Sequence, residues 1–111
     1  KEKAIFMTGI YLDVPLNLIS GVSTTGAGTT YAAPVKMTTL TWQTTFDVAP
    51  AAINIDLEGS LDNSHFNVLD NTTVVGGEVA TLETNVPFLR AKVNTNGDGV
   101  GVTVTVICKA Q

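Results

Sequence analysis

One cysteine, one histidine and one tryptophan stand in 111 residues, and only 14% of the chain is charged. Each scarcity excludes something. The single cysteine, Cys108, rules out an internal disulfide, so stability has to come from packing or association. The six basic residues are scattered: Lys1, Lys3 and Lys36, then Arg90, Lys92 and Lys109. At a net charge of −4 they form no basic stripe to neutralise phosphates, and direct nucleic-acid binding is not expected. No apolar run approaches the ~20 residues that cross a bilayer as a helix, so no membrane partner is expected. Lys-Glu-Lys opens the chain without a clean apolar stretch and small-residue cleavage site behind it, so no signal peptide is expected either. Nor does any window carry an apolar stripe of helical period.

What the chain has is alternation. With 44% apolar residues and little charge it is a folding sequence, not a disordered one, and its length suits a single domain spanning residues 1–111. Leu40, Trp42, Thr44, Phe46 and Val48 fall on one face of an extended segment, with Thr39, Thr41, Gln43 and Thr45 on the other. Ile53, Ile55, Leu57 and Gly59 alternate with Asn54, Asp56, Glu58 and Ser60. After a turn at Leu61–Ser64, His65 to Leu69 reads as a short strand, and Asp70–Thr73 and Gly76-Gly77 read as turns bracketing Val74-Val75. Glu78 to Thr84 alternates weakly. Leu89, Ala91 and Val93 alternate with Phe88, Arg90 and Lys92, and Val102, Val104, Val106 and Cys108 share a face in the last segment. Asn96-Gly97-Asp98-Gly99 suits a tight hairpin between these two. Gly21 to Thr30 has no periodicity and reads as a loop. Lys1 to Leu18, interrupted by Gly9 and Pro15, reads as an arm or an edge strand. About seven to nine short strands separated by turns predict an all-β, antiparallel β-sandwich of jelly-roll or immunoglobulin-like type.

The residues that could carry chemistry do not form a reactive pattern. Asp56 and Glu58 lie two apart on a polar strand face, where they should be side by side and solvated rather than a catalytic pair. Asp62, Asn63, Asp70 and Asn71, or Asn94, Asn96 and Asp98, could suggest calcium but lack EF-hand spacing, and Asx-rich turns are common for backbone reasons. His65 has Ser64 and Ser60 beside it but no nucleophile elbow. Cys108 reads as a buried thiol in preference to a reactive or inter-chain one. Trp42, in phase with Leu40 and Phe46, reads as core; exposed, it would suggest a carbohydrate-stacking platform. No enzyme activity, metal or cofactor is expected. Arg90, if its strand neighbours Ile53–Ser60, reaches Glu58 or Asp56, and a structural Arg90–Glu58 ion pair is expected.

Leu57-Glu58-Gly59-Ser60-Leu61-Asp62 with Phe66 and Leu69, then Phe88-Leu89-Arg90-Ala91, then Gly99 and Thr103 to Val106, resemble a small β-sandwich domain that recurs in tailed-phage virion proteins, of capsid decoration (cement) or head-fibre type. The resemblance runs from Thr38 to Lys109. Phe66 stands where the family often has tryptophan, and Asn63 where it commonly has glycine. What the resemblance implies is a non-enzymatic protein made in the host cytoplasm and assembled on the capsid surface. Its partners would be the major capsid protein and further copies of itself, by analogy a trimer. A tail- or fibre-associated carbohydrate-binding module is the alternative. Ile5, Phe6, Ile10, Tyr11 and Leu12, with the odd-facing Phe88 and Ile107, are the candidate interface residues.

Overall fold

Nested pairing of segments distant in sequence organises the computed structural model, which describes residues 15–97 and 104–111. The strands are β1 (Leu16–Val22), β2 (Gly26–Ala27), β3 (Tyr31–Ala32), β4 (Thr39–Phe46), β5 (Ile53–Ser60), β6 (Asn67–Thr72), β7 (Glu78–Glu83), β8 (Phe88–Asn96) and β9 (Val104–Ala110). One sheet has the order β1-β9-β4-β7; the other has the order β2-β8-β5-β6, with β3 also on β8, and every pairing is antiparallel. Gly26 pairs with Val93 and Tyr31 with Leu89, so β2 and β3 are two pieces of one interrupted strand along the same edge of β8.

Taken that way, β5 pairs with β6, β4 with β7, β2/β3 with β8 and β1 with β9, like one long hairpin. Rolling that hairpin up adds the β4–β9 and β5–β8 ladders that complete the two sheets. This is the jelly roll of two Greek keys, which settles the choice left open with the immunoglobulin-like arrangement.

The inward residues are those the alternation picks out. Leu40 and Trp42 of β4, Ile53, Ile55 and Leu57 of β5, Leu89, Ala91 and Val93 of β8, and Val104, Val106 and Cys108 of β9 are all buried. Burying each large aliphatic side chain contributes roughly 1.5–3 kcal/mol, so this shared interior dominates the stability. Thr44 is buried among them, its hydroxyl accepting from the Glu78 amide at 3.2 Å. Burial pushes the Cys108 thiol up to about 12, which makes it inert at neutral pH.

Several local expectations are corrected. Gly21–Thr30 is not wholly a loop: it holds the end of β1 and all of β2, which pair across the chain with little local pattern to announce them. Leu16–Leu18 belongs to β1, an edge strand, while residues 1–14 lie outside the described residues. His65 and Phe66 precede β6 rather than opening it, and Asp70–Thr72, expected as turn, is strand. The turn is Val74–Gly77, closed by the Gly77 amide donating to the Val74 carbonyl at 3.1 Å. Asn96-Gly97 does not lead a tight hairpin, because β8 and β9 lie in different sheets and the chain must cross between them.

Gly77 sits at φ 90°, and a Cβ there would stand 2.6 Å from the Thr44 carbonyl oxygen, whereas one on Gly76 meets open space. Gly77→Ala should therefore cost about 2 kcal/mol in urea unfolding and Gly76→Ala almost nothing, since the left-handed region itself costs about 1–2 kcal/mol for a side chain. Equal losses for the two variants would contradict this placement of the turn.

Candidate interaction surfaces

The two outer faces of the sandwich differ in chemistry. On the β5–β8 sheet, Arg90 lies directly opposite Glu58, and its Nε donates to Glu58 Oε1 at 2.6 Å. The Arg90 guanidinium also stacks on Phe66, 4.0 Å from the ring centroid. Glu58 is thereby only 6% exposed although it sits on an outward face. This corrects the expectation that Asp56 and Glu58 are equally solvated: the 61–66 segment brings Phe66 back over Arg90, and together they roof the carboxylate. Asp56 is held differently, accepting from Asn71 Nδ2 at 2.7 Å and from Asn94 Nδ2 at 2.7 Å. Both amides also donate to Asn54 Oδ1. Asn94 can lie over Asp56 on this exposed face because a register shift between Asn54 and Ile55 leaves it unpaired in the ladder.

The loop after β5 is built around Asp62. Its Oδ1 accepts from the Ser64 and His65 amides and from Ser60 Oγ, each at 2.9 Å, and its Oδ2 contacts His65 Nδ1 at 2.8 Å. These donors, led by the His65 amide, hold the Asp62 carboxyl well below the usual carboxylate range. Ser60 Oγ in turn accepts from the Asp62 and Asn63 amides. Asn63 has φ 61°, which explains why glycine suits this position and why asparagine is an acceptable substitute. Ser60 is thus committed to the loop and Asp62, and His65 to Asp62, with no serine–histidine pair of the kind a triad needs. An open groove of 330 Å³ runs beside this loop, lined in part by Leu61, His65, Asn67, Leu69 and Val86.

A contact not legible in the sequence ties the sheets together. Trp42 is 3% exposed, and its Nε1 donates to Asp70 Oδ2 at 2.9 Å. A bulge at Leu69 in β6 turns Asp70 towards the interior, opposite Leu57. The only advance sign is an acid in a strand facing a core tryptophan's strand, which spacing alone does not reveal. A buried Trp42 supplies no carbohydrate platform. Among the described residues no group of three His, Cys, Asp or Glu side chains is placed to hold a metal. Asp62, Asp70, Asn71 and Asn94 are engaged as described, and Asp98 lies outside the described residues.

The candidate interface residues do not form one patch. Phe88 is half-buried on the outer face of the β5–β8 sheet, opposite Ser60, whereas Ile107 is half-buried on the outer face of the other sheet, opposite Gln43. Ile5, Phe6, Ile10, Tyr11 and Leu12 lie outside the described residues. Around Ile107 the outer face carries Thr41, Gln43 and Thr45 of β4, Val79 and Thr81 of β7, and Thr105 of β9, with its charges at one end, Lys109 opposite Thr41 and Glu83 opposite Thr39. Thr41 and Thr81 share a hydroxyl–hydroxyl hydrogen bond of 2.8 Å.

Strand order, faces and loop geometry define a small antiparallel jelly-roll sandwich. No protein-family model matches the sequence, and no curated protein matches it. Among solved structures it is similar to the crystal structure of the SPBc2 prophage-derived protein YomS, with a TM-score of 0.62 over 93% of this chain and 100% of that one. At 8% identity the likeness is one of fold.

Two outcomes test the β5–β8 face. Arg90→Ala should lower stability by about 2–3 kcal/mol, because it strands a largely buried carboxylate, and adding Glu58→Gln should recover part of the loss. Independent, additive effects would show that the pair is not coupled. For Asp62 the sign follows from the lowered pKa: its contribution is present above the ordinary aspartate range and fades as pH falls through the depressed value. Carboxyl NMR titration should find Asp62 still ionised where exposed aspartates are half protonated, and an ordinary midpoint would contradict the loop geometry.

Proposed function

We propose that this chain is a non-enzymatic structural protein of a bacteriophage virion, a capsid decoration (cement) protein that docks on the major capsid protein as a symmetric oligomer. The observation that carries the reading is what the family-like residues do. Glu58, Phe66 and Arg90 make one clamp, and Ser60, Asp62 and Asn63 make one self-capped loop. These residues are spent on holding a rigid sandwich, as a mechanical role requires, and not on presenting reactive groups. The jelly roll is an architecture shared by viral capsid proteins, and the structural likeness to a prophage-derived protein supports the same origin. Decoration also suits a chain with a sheet face rich in threonine and valine to bury. The protein would be made in the host cytoplasm and end on the capsid surface.

The carbohydrate-binding alternative loses its main support with Trp42 in the core. The test is sedimentation of purified protein with particles of the encoding phage. Binding should saturate at a copy number fixed by the capsid lattice and should raise the temperature at which the shell disrupts. Protein that stays in the supernatant at every concentration would contradict the proposal.

A further inference from the structure

Four strand edges bound the two sheets, and three of them carry features that discourage pairing with another chain. β1 follows Pro15 and has two register shifts against β9. The β2/β3 edge is broken into two pieces of two residues each. β6 carries the bulge at Leu69. β7 has none of these devices. It pairs with β4 over six consecutive residues without a shift, and Glu-Val-Ala-Thr-Leu-Glu contains no proline, glycine, lysine or arginine. Among the described residues nothing pairs with its outer side. Natural edges are protected by bulges, prolines, inward charges or shortness; on β7 that protection is confined to its first residue, Glu78, on the inward face with Ala80 and Leu82, so the regular stretch after it marks a place where another strand is accommodated.

We propose that β7 pairs antiparallel with β7 of a second copy about a twofold axis at Ala80, joining the two four-stranded sheets into one of eight strands. The sequence of β7 favours its own copy as occupant. With Ala80 opposite its equivalent, Val79 lies opposite Thr81 of the other copy, twice, on the outer face. The two glutamates of each strand stay apart: Glu78 falls opposite Leu82, and Glu83 falls opposite Gly77, on the other face of the sheet from Glu78. Cross-strand pairs of β-branched residues are favourable, and directly opposed like charges are not. Shifting the axis to Thr81 would set Glu83 against Val79 and lose this match. Val79 is 60% exposed in the single chain, and pairing would cover it. Because the interface is isologous it closes at two copies and propagates no fibre.

The inference stands apart from the virion role, since the mass of the isolated protein reports on β7 alone and particle sedimentation reports on docking. Light scattering and sedimentation equilibrium of the full chain should show a concentration-dependent mass rising from 11.6 kDa towards twice that value. Val79→Lys/Thr81→Lys places lysine opposite lysine, and Val79→Glu/Thr81→Glu places glutamate opposite glutamate. Each variant alone should stay at the mass of one chain, while an equimolar mixture should regain the mass of two. Both positions are exposed, so each variant should keep the parent's circular dichroism spectrum and a cooperative melt, lower than the parent's by the lost association and the lost Thr41–Thr81 hydrogen bond. A parent protein that is monomeric at all concentrations, a trimer, or a dimer unaffected by either double substitution would overturn the proposal.

Discussion

The ladder between β5 and β8 is the constraint on which the rest of this fold depends. It joins the centres of the five-stranded sheet, and its inner side sets Ile55, Leu57 and Gly59 against Val93, Ala91 and Leu89. A slip of one residue would turn every one of these side chains out to solvent and bring Asp56, Glu58, Arg90 and Lys92 inside. The outer side is fixed by charge: Glu58 and Arg90 meet only in this register, and Phe66 closes over them. Core and clamp therefore specify the same alignment from opposite faces of the sheet. The second sheet then packs onto a surface that is already defined, with the Trp42–Asp70 hydrogen bond fixing one side of the sandwich.

Much of this was legible in the sequence because period-two alternation is a local signal. β4, β5, β8 and β9 were readable residue by residue, and so was the burial of Trp42 and Cys108. The reach of Arg90 to Glu58 needed only the assumption that their strands are neighbours. What was not legible depends on partners far along the chain. β2 and β3 are two residues each and exist because β8 offers them an edge, so GVSTTGAGTT looks like a loop until β8 is in place. The bulges at Leu69 and Asn94 break the alternation at the points that matter, sending Asp70 into the interior and Asn94 onto Asp56. Asn96-Gly97 has the composition of a hairpin turn, but composition does not say whether the next strand joins the same sheet or the facing one.

The candidate surfaces follow from this division. The residues that stand out in the sequence, LEGSLD and FLRA, are consumed by the clamp and the Asp62 loop, so they describe how the sandwich is held. The opposite outer face, around Thr41, Gln43, Val79 and Ile107, is built from threonines and valine that attract little notice in a sequence scan. Only the strand order brings them to one surface and puts β7 at its margin.

Native-state amide hydrogen exchange tests the central role of the β5–β8 ladder most directly. If the ladder anchors the fold, amides of Ile55, Leu57, Ala91 and Val93 open only with global unfolding and exchange last, while those of β1, β2 and β3 exchange through smaller openings. Slowest exchange in β1 and β9, with β5 and β8 released earlier, would contradict it.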